Sequence, residues 1–181
     1  LVAAAALIVL RRPLPRERRG ELFAAGLLLA FGFPGFSSVA MQTVPASHGG
    51  IVLGVLPLMT ACFAALFGGE RPGLLFWAFG IAGTVLVVSF SLSGVDITPG
   101  IGDLWLGCAA LAASCGYVIS GKLSRSMPGW EVIAWALVFI SPISLAGTLW
   151  SLAGGIDDPG PFELAGFAYL VLGSMFGGFV F

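Results

Sequence analysis

GIVLGVLPLMTACFAALFGGER, residues 50–71, is apolar for about the length needed to cross a bilayer and stops abruptly on Gly68-Gly69-Glu70-Arg71. Pro57 stands in its middle. Proline has no backbone N–H, so a helix through this stretch leaves the carbonyl of Leu53 without its usual partner. Interrupted backbone at membrane depth is tolerated where it is buried in protein or lines a cavity. The stretch therefore reads as a transmembrane helix that shapes a solute path, with Pro57 toward that path.

The rest of the chain has the same character. It is 58% hydrophobic and 9% charged, against about a quarter charged in soluble domains. That composition excludes a soluble globular fold and gives an all-α, multi-spanning membrane protein. Basic residues occur only as short clusters between apolar runs, which speaks against nucleic acid as a partner. Residues 1–10 are apolar but too short to span, and residue 181 falls inside another apolar run, so the chain reads as an internal piece of a longer protein. Cys62, Cys108 and Cys115 all lie in apolar runs without a CxxC pairing and read as small packing residues. A single histidine, His48 in a turn, offers no histidine-based metal site. No cofactor or metal is expected.

Apolar runs fall at 22–41, 50–67, 74–92, 104–120, 132–152 and 164–181, after the tail at 1–10. This gives five complete spans, a nearly complete sixth and a truncated first. The charges fix their direction. Arg11, Arg12, Arg16, Arg18, Arg19, Arg71, Lys122 and Arg125, every basic residue of the chain, fall in alternate loops. The other loops hold Asp96, Asp103, Asp157, Asp158 and Glu163 with no Lys or Arg. The positive-inside rule places the first set, including loop 11–20, in the cytoplasm of a cell (plasma or inner) membrane. A missed or invented helix would have put the later basic loops on the wrong side. Small residues recur at four-residue spacing, as Gly50 and Gly54, as Ala61, Ala65 and Gly69, and as Ala112, Gly116 and Ser120. That spacing lets helix backbones approach closely in lipid.

Residues 40–71, AMQTVPASHGGIVLGVLPLMTACFAALFGGER, resemble the third-to-fourth helix region of EamA-type transporters of the drug/metabolite transporter superfamily. The shared pattern is a small residue and short turn, a helix with a central proline followed by leucine, and a closing Glu. The Gly-rich helix around FGIAGTVL, residues 79–86, fits the helix that follows. GCAALAASCGYVISGKLSR, residues 107–125, resembles the helix that opens the family's second repeat. The resemblance implies a fragment of a ten-helix inverted-repeat (5+5) transporter. Residues 1–92 would hold the end of the first repeat, from a partial helix two to helix five. Residues 103–181 would start the second, helices six to eight with the last truncated. An odd number of helices per repeat makes the repeats inverted, as in many secondary transporters. A shift of 142 positions aligns Glu21-Leu22 with Glu163-Leu164, Leu28 with Leu170 and Gly35 with Gly177, and brings loops of opposite sidedness together.

The expected function is transport of a small metabolite, amino acid or drug-like solute by alternating access through a central cavity. The alternative is a non-transporting membrane scaffold or assembly subunit. An enzyme is not expected, since there is no HExxH and no base beside a nucleophile. Expected partners are the lipid bilayer and an unidentified small solute, with a homodimer left open. No span carries a charge in its middle, so polar and proline positions are the cavity candidates. These are Pro34, Ser37, Ser38 and Gln42 on the second span, and Pro57 on the third. Pro34 frees the carbonyl of Ala30 as Pro57 frees that of Leu53, while serines also bond back to their own helix. Tyr117 and Trp135 line the path or pack as core. Trp105, Trp130 and Trp150, near span ends, suit interfacial anchoring. Glu70 matches the family's acidic residue and is the candidate for a cytoplasmic gate. Its plainer reading is a solvated charge or a pair with Arg71. A Glu at a helix C-terminus opposes the dipole, so Arg71, Lys122 or Arg125 would have to offset it.

Overall fold

The computed structural model describes residues 2–92, 100–154 and 160–169. They are helical, with no strand among them. The acidic loop residues Asp96, Asp157 and Asp158 and the run 170–181 lie outside the described residues. The elements are α1 (Val2–Val9), a 3-10 turn (Arg16–Arg18), α2 (Arg19–Gly26), a π-helical segment (Leu27–Gly32), α3 (Phe33–Ala40), α4 (Ala46–Phe67), α5 (Leu74–Leu92), α6 (Ile101–Leu123), α7 (Gly129–Ala153) and α8 (Pro161–Tyr169). Three helices are long and apolar enough to cross a membrane: Arg16–Ala40, Ile101–Leu123 and Gly129–Ser151. α4 and α5 carry shorter apolar stretches, Gly54–Phe67 and Leu74–Ser89. The chain divides into two compact units, one of Ala24–Lys122 and one that joins the residues before it to those after it.

Side chains are distributed as lipid requires. The buried apolar set is dominated by alanine, among them Ala25, Ala40, Ala109, Ala112, Ala113 and Ala136. The large side chains face out, including Leu74, Leu66, Trp150 and Phe162. In water this would be inverted. In a bilayer the outside is already apolar, so small residues go where backbones must meet.

Within Ala24–Lys122 the helices meet in antiparallel pairs. Against α6, the turn residues Thr43 and Val44 lie over Gly102, Phe36 stacks on Trp105 with ring centroids 5.7 Å apart, Gly32 faces Ala112, and Leu29 faces Gly116. The partners descend along one helix as they climb the other, which is the opposite sidedness that the charge alternation demands. Between α4 and α5, Gly54 meets Val87 and Gly80 meets Leu58.

The prolines leave the helices continuous. Pro57 lies inside the 22-residue α4, which runs through it. Thr84 of α5 donates its hydroxyl to the Gly54 carbonyl at 3.4 Å, next to the carbonyl that Pro57 leaves without a donor. Before Pro34 the helix widens instead. Phe33 N–H bonds to Leu28 O, five residues back. A widened turn of this kind relieves the clash between a proline ring and the carbonyl of the preceding turn. A third proline, Pro142, sits inside α7. It removes the amide partner of the Val138 carbonyl, and Ser141 Oγ donates to that oxygen at 2.7 Å.

Two helix ends use the left-handed conformation. At the end of α4, Gly69 has φ +70, and Glu70 N–H closes on Ala64 O at 3.2 Å. Glu70 is thereby placed beyond the helix, with its own amide satisfying a terminal carbonyl. A side chain at φ +70 costs roughly 1–2 kcal/mol. Gly69→Ala is expected to lower stability by about 1 kcal/mol while the helical content measured by circular dichroism stays the same. At the end of α1 the left-handed residue is Arg11, φ 50, the one non-glycine so placed among the described residues. Arg11 N–H bonds to Ile8 O and Arg12 N–H to Leu7 O, each at 3.0 Å. That pair of bonds is the Schellman closure, normally built on glycine. α6 starts on a different device: Asp103 accepts from the Gly100 N–H at 2.9 Å, half of a capping box.

Candidate functional site

The polar groups within Ala24–Lys122 gather on α3, α4 and α6. Ser37 Oγ donates back to the Phe33 carbonyl at 2.7 Å and lies 3.1 Å from the Pro34 carbonyl. Its proton is thus committed to its own helix, one turn above the π-helical segment. Pro34 and Ser37 are half-buried, while Ser38 and Gln42 are exposed. The Gln42 backbone N–H bonds to Val39 O at 3.2 Å, so the turn after α3 holds the residue and leaves its amide outward. Pro57 is exposed. Tyr117 is also exposed, although both flanking residues, Gly116 and Val118, are buried. Of the expected site residues, Pro34 and Ser37 are brought into direct contact. Glu70 is exposed at the α4 terminus. Trp135 belongs to the other unit.

Sequence reasoning missed a pair of hydroxyls. Thr60 Oγ1 lies 2.9 Å from the Leu56 carbonyl and 3.4 Å from Ser114 Oγ. Ser114 is fully buried. The Thr60 hydroxyl donates to the Leu56 carbonyl at the shorter distance and faces Ser114 Oγ as a second, weaker acceptor. This brings side-chain polar groups of α4 and α6 together. The signal was present as a Thr inside the stretch at 50–67 and a Ser inside that at 104–120. Spacing cannot pair two hydroxyls that stand 54 positions apart.

The unit around α1 and α7 holds a second polar group. Glu131, in the first turn of α7, is the one buried acid among the described residues. Its Oε1 lies 3.1 Å from Arg12 Nε, the two side chains being 9% and 44% exposed. Oε1 makes no aligned hydrogen bond, so the attraction is chiefly that of an ion pair. The Arg12 guanidinium sits over the Trp130 ring, 5.5 Å from its centroid, a cation–π arrangement. One turn on, Trp135 is buried against Phe139, and its Nε1 has no acceptor. Glu131 was missed because it stands at the border of a span, where a charge reads as loop.

Cys62, Cys108 and Cys115 are free and half-buried. Among the described residues no three metal-ligating side chains cluster.

Long apolar helices packed on small residues define a multi-spanning helical membrane protein. The model of the EamA-like transporter family matches residues 1–92, and the chain belongs to that family. It is similar along its whole length to a Bacillus subtilis (strain 168) protein described as "Uncharacterized transporter YdeK", at 35% identity over 182 residues. It spans 63% of that relative's length. No solved structure matches it.

Proposed function

We propose that the protein is a transporter that moves a small metabolite, amino acid or drug-like solute by alternating access around a central cavity in the cell membrane. The observation that carries this reading is membership of the EamA-like transporter family, together with similarity to a relative named as a transporter. The architecture supports it. Proline positions in α3, α4 and α7 lower the backbone bonding of helices that have to move against one another. Pro34, Ser37, Ser38, Gln42, Pro57, Tyr117 and Trp135 are the cavity positions of this proposal. Loop 11–20 lies in the cytoplasm, and Glu70 lies at the cytoplasmic end of α4.

The test is flux. The full chain, reconstituted in vesicles, is expected to give solute-dependent counterflow with at least one member of a panel of amino acids, metabolites and organic cations. Gln42→Ala and Pro57→Ala are expected to reduce that flux severalfold. No flux with any member of the panel overturns the transport reading. Flux that is unchanged in both variants overturns their assignment to the cavity.

A further inference from the structure

The groups between α1 and α7 are unused by anything above, and three observations converge on them. Glu131 is a buried carboxylate whose cation among the described residues is Arg12. Arg12 is held in place by a helix cap that puts a non-glycine residue, Arg11, in the left-handed region. Such a conformation persists only where the surroundings over-determine it. The guanidinium is then clamped a second time, by the face of Trp130. The components differ in exposure. Arg12 reaches water and Glu131 does not. A movement that separates the end of α1 from the start of α7 would strand the carboxylate in a dry setting without its counter-charge, which is the costly way to break a buried pair.

We propose that Arg12 and Glu131 form a gate at the cytoplasmic end, with Trp130 as its clamp: the pair holds α1 against α7 in one state of the cycle and must part before that end opens. This rests on the transport reading and adds to it the residues that set one of its two closed ends. They are positioning residues. They act on the helices, and the solute need not touch them. The pair also explains why position 12, directly after the cap, holds an arginine and no lysine: its planar guanidinium can meet a carboxylate and stack on a ring together.

Accessibility labelling tests the gate without any solute. Cys62, Cys108 and Cys115 are replaced by serine in the full chain, and Ala134→Cys supplies a reporter at a buried position of α7, 7% exposed. Cytoplasmic-face-out vesicles are treated with a membrane-impermeant maleimide. The reporter is expected to label slowly in the otherwise native chain. Arg12→Gln or Glu131→Gln is expected to speed labelling by about tenfold, the ratio that corresponds to roughly 1.4 kcal/mol. The exchange Arg12→Glu with Glu131→Arg is expected to return the rate most of the way, a rescue that lost packing alone would not give. Equal rates in the native and single-variant chains overturn the gate. So does an exchange that labels as fast as the single variants. If Glu131→Gln fails to accumulate in membranes, Arg12→Gln, altered at the exposed partner, decides the matter alone. Because no flux is read, failure here is distinct from failure of the transport reading.

Discussion

Gly116→Leu is expected to abolish the folded protein or to destabilise it by about 3 kcal/mol or more, the upper range for overpacking. A Cβ at this position would lie 2.6 Å from Leu29 Cγ and 3.3 Å from Leu28 Cβ. These neighbours sit on the π-helical segment, so two constraints meet there. The segment is widened to accommodate Pro34, and its wide turn is received by the bare backbone of Gly116. One helical turn along, Gly32 is also closely placed, its Cβ position lying 3.0 Å from Ala112 Cβ. The contact cannot relax by sliding, because Phe36 on Trp105 and the 43–44 turn on Gly102 fix the same pair of helices at its other end. Gly107, on the same helix α6, has open space around it, and Gly107→Leu is expected to be tolerated. Thermal unfolding of the two variants in detergent micelles, read by size-exclusion fluorescence, checks this. Equal stability of the two would show that α6 does not approach the π-helical segment through Gly116.

Arg12→Glu is expected to be the other severe change. Removal of one partner from a buried ion pair costs roughly 3–5 kcal/mol. Here Arg12 is partly hydrated, which lowers that figure, while the introduced carboxylate facing Glu131 raises it again. A loss of about 3 kcal/mol is the expectation. Addition of Glu131→Arg is expected to restore part of it, the rest being lost to a cation at the start of a helix. Arg18 and Glu21 provide the contrast. That pair is exposed, 3.3 Å apart and within one turn, so Glu21→Gln is expected to change stability by well under 1 kcal/mol. The same unfolding measurement distinguishes the two pairs. A similar small effect at both sites would mean that Glu131 is hydrated in the folded protein.

How much of this was legible in the sequence depended on the range of the physics. The runs at 22–41, 104–120 and 132–152 became spanning helices because a long apolar segment in lipid has to satisfy its own backbone. The antiparallel arrangement of α3 and α6 was implied by the loop charges before any contact was known. Of the positions named by small-residue spacing, Gly54, Ala112 and Gly116 lie at close helix contacts, whereas Gly69 lies beyond α4 with open space around it. What could not be read was the response to each proline. Pro34 and Pro57 look alike in one dimension. One is accommodated by a widened turn, the other by a continuous helix with a hydroxyl from α5 near it. At Pro142, Ser141 supplies the Val138 carbonyl from the preceding position. The choice depends on which neighbour packs there. Glu70 drew attention because it matched a pattern, and it lies exposed beyond a left-handed glycine. Glu131, at the edge of a span, carries the buried charge.

The sequence by itself therefore determined that this is a helical membrane protein and where its described helices run. Hydrophobic length and loop charge act locally and need no partner. The tertiary structure alone decided which polar residues face one another. Thr60 meets Ser114 and Arg12 meets Glu131 across 54 and 119 positions of chain. Periodicity carries no information over such separations, because these contacts exist only after helices distant in sequence have packed.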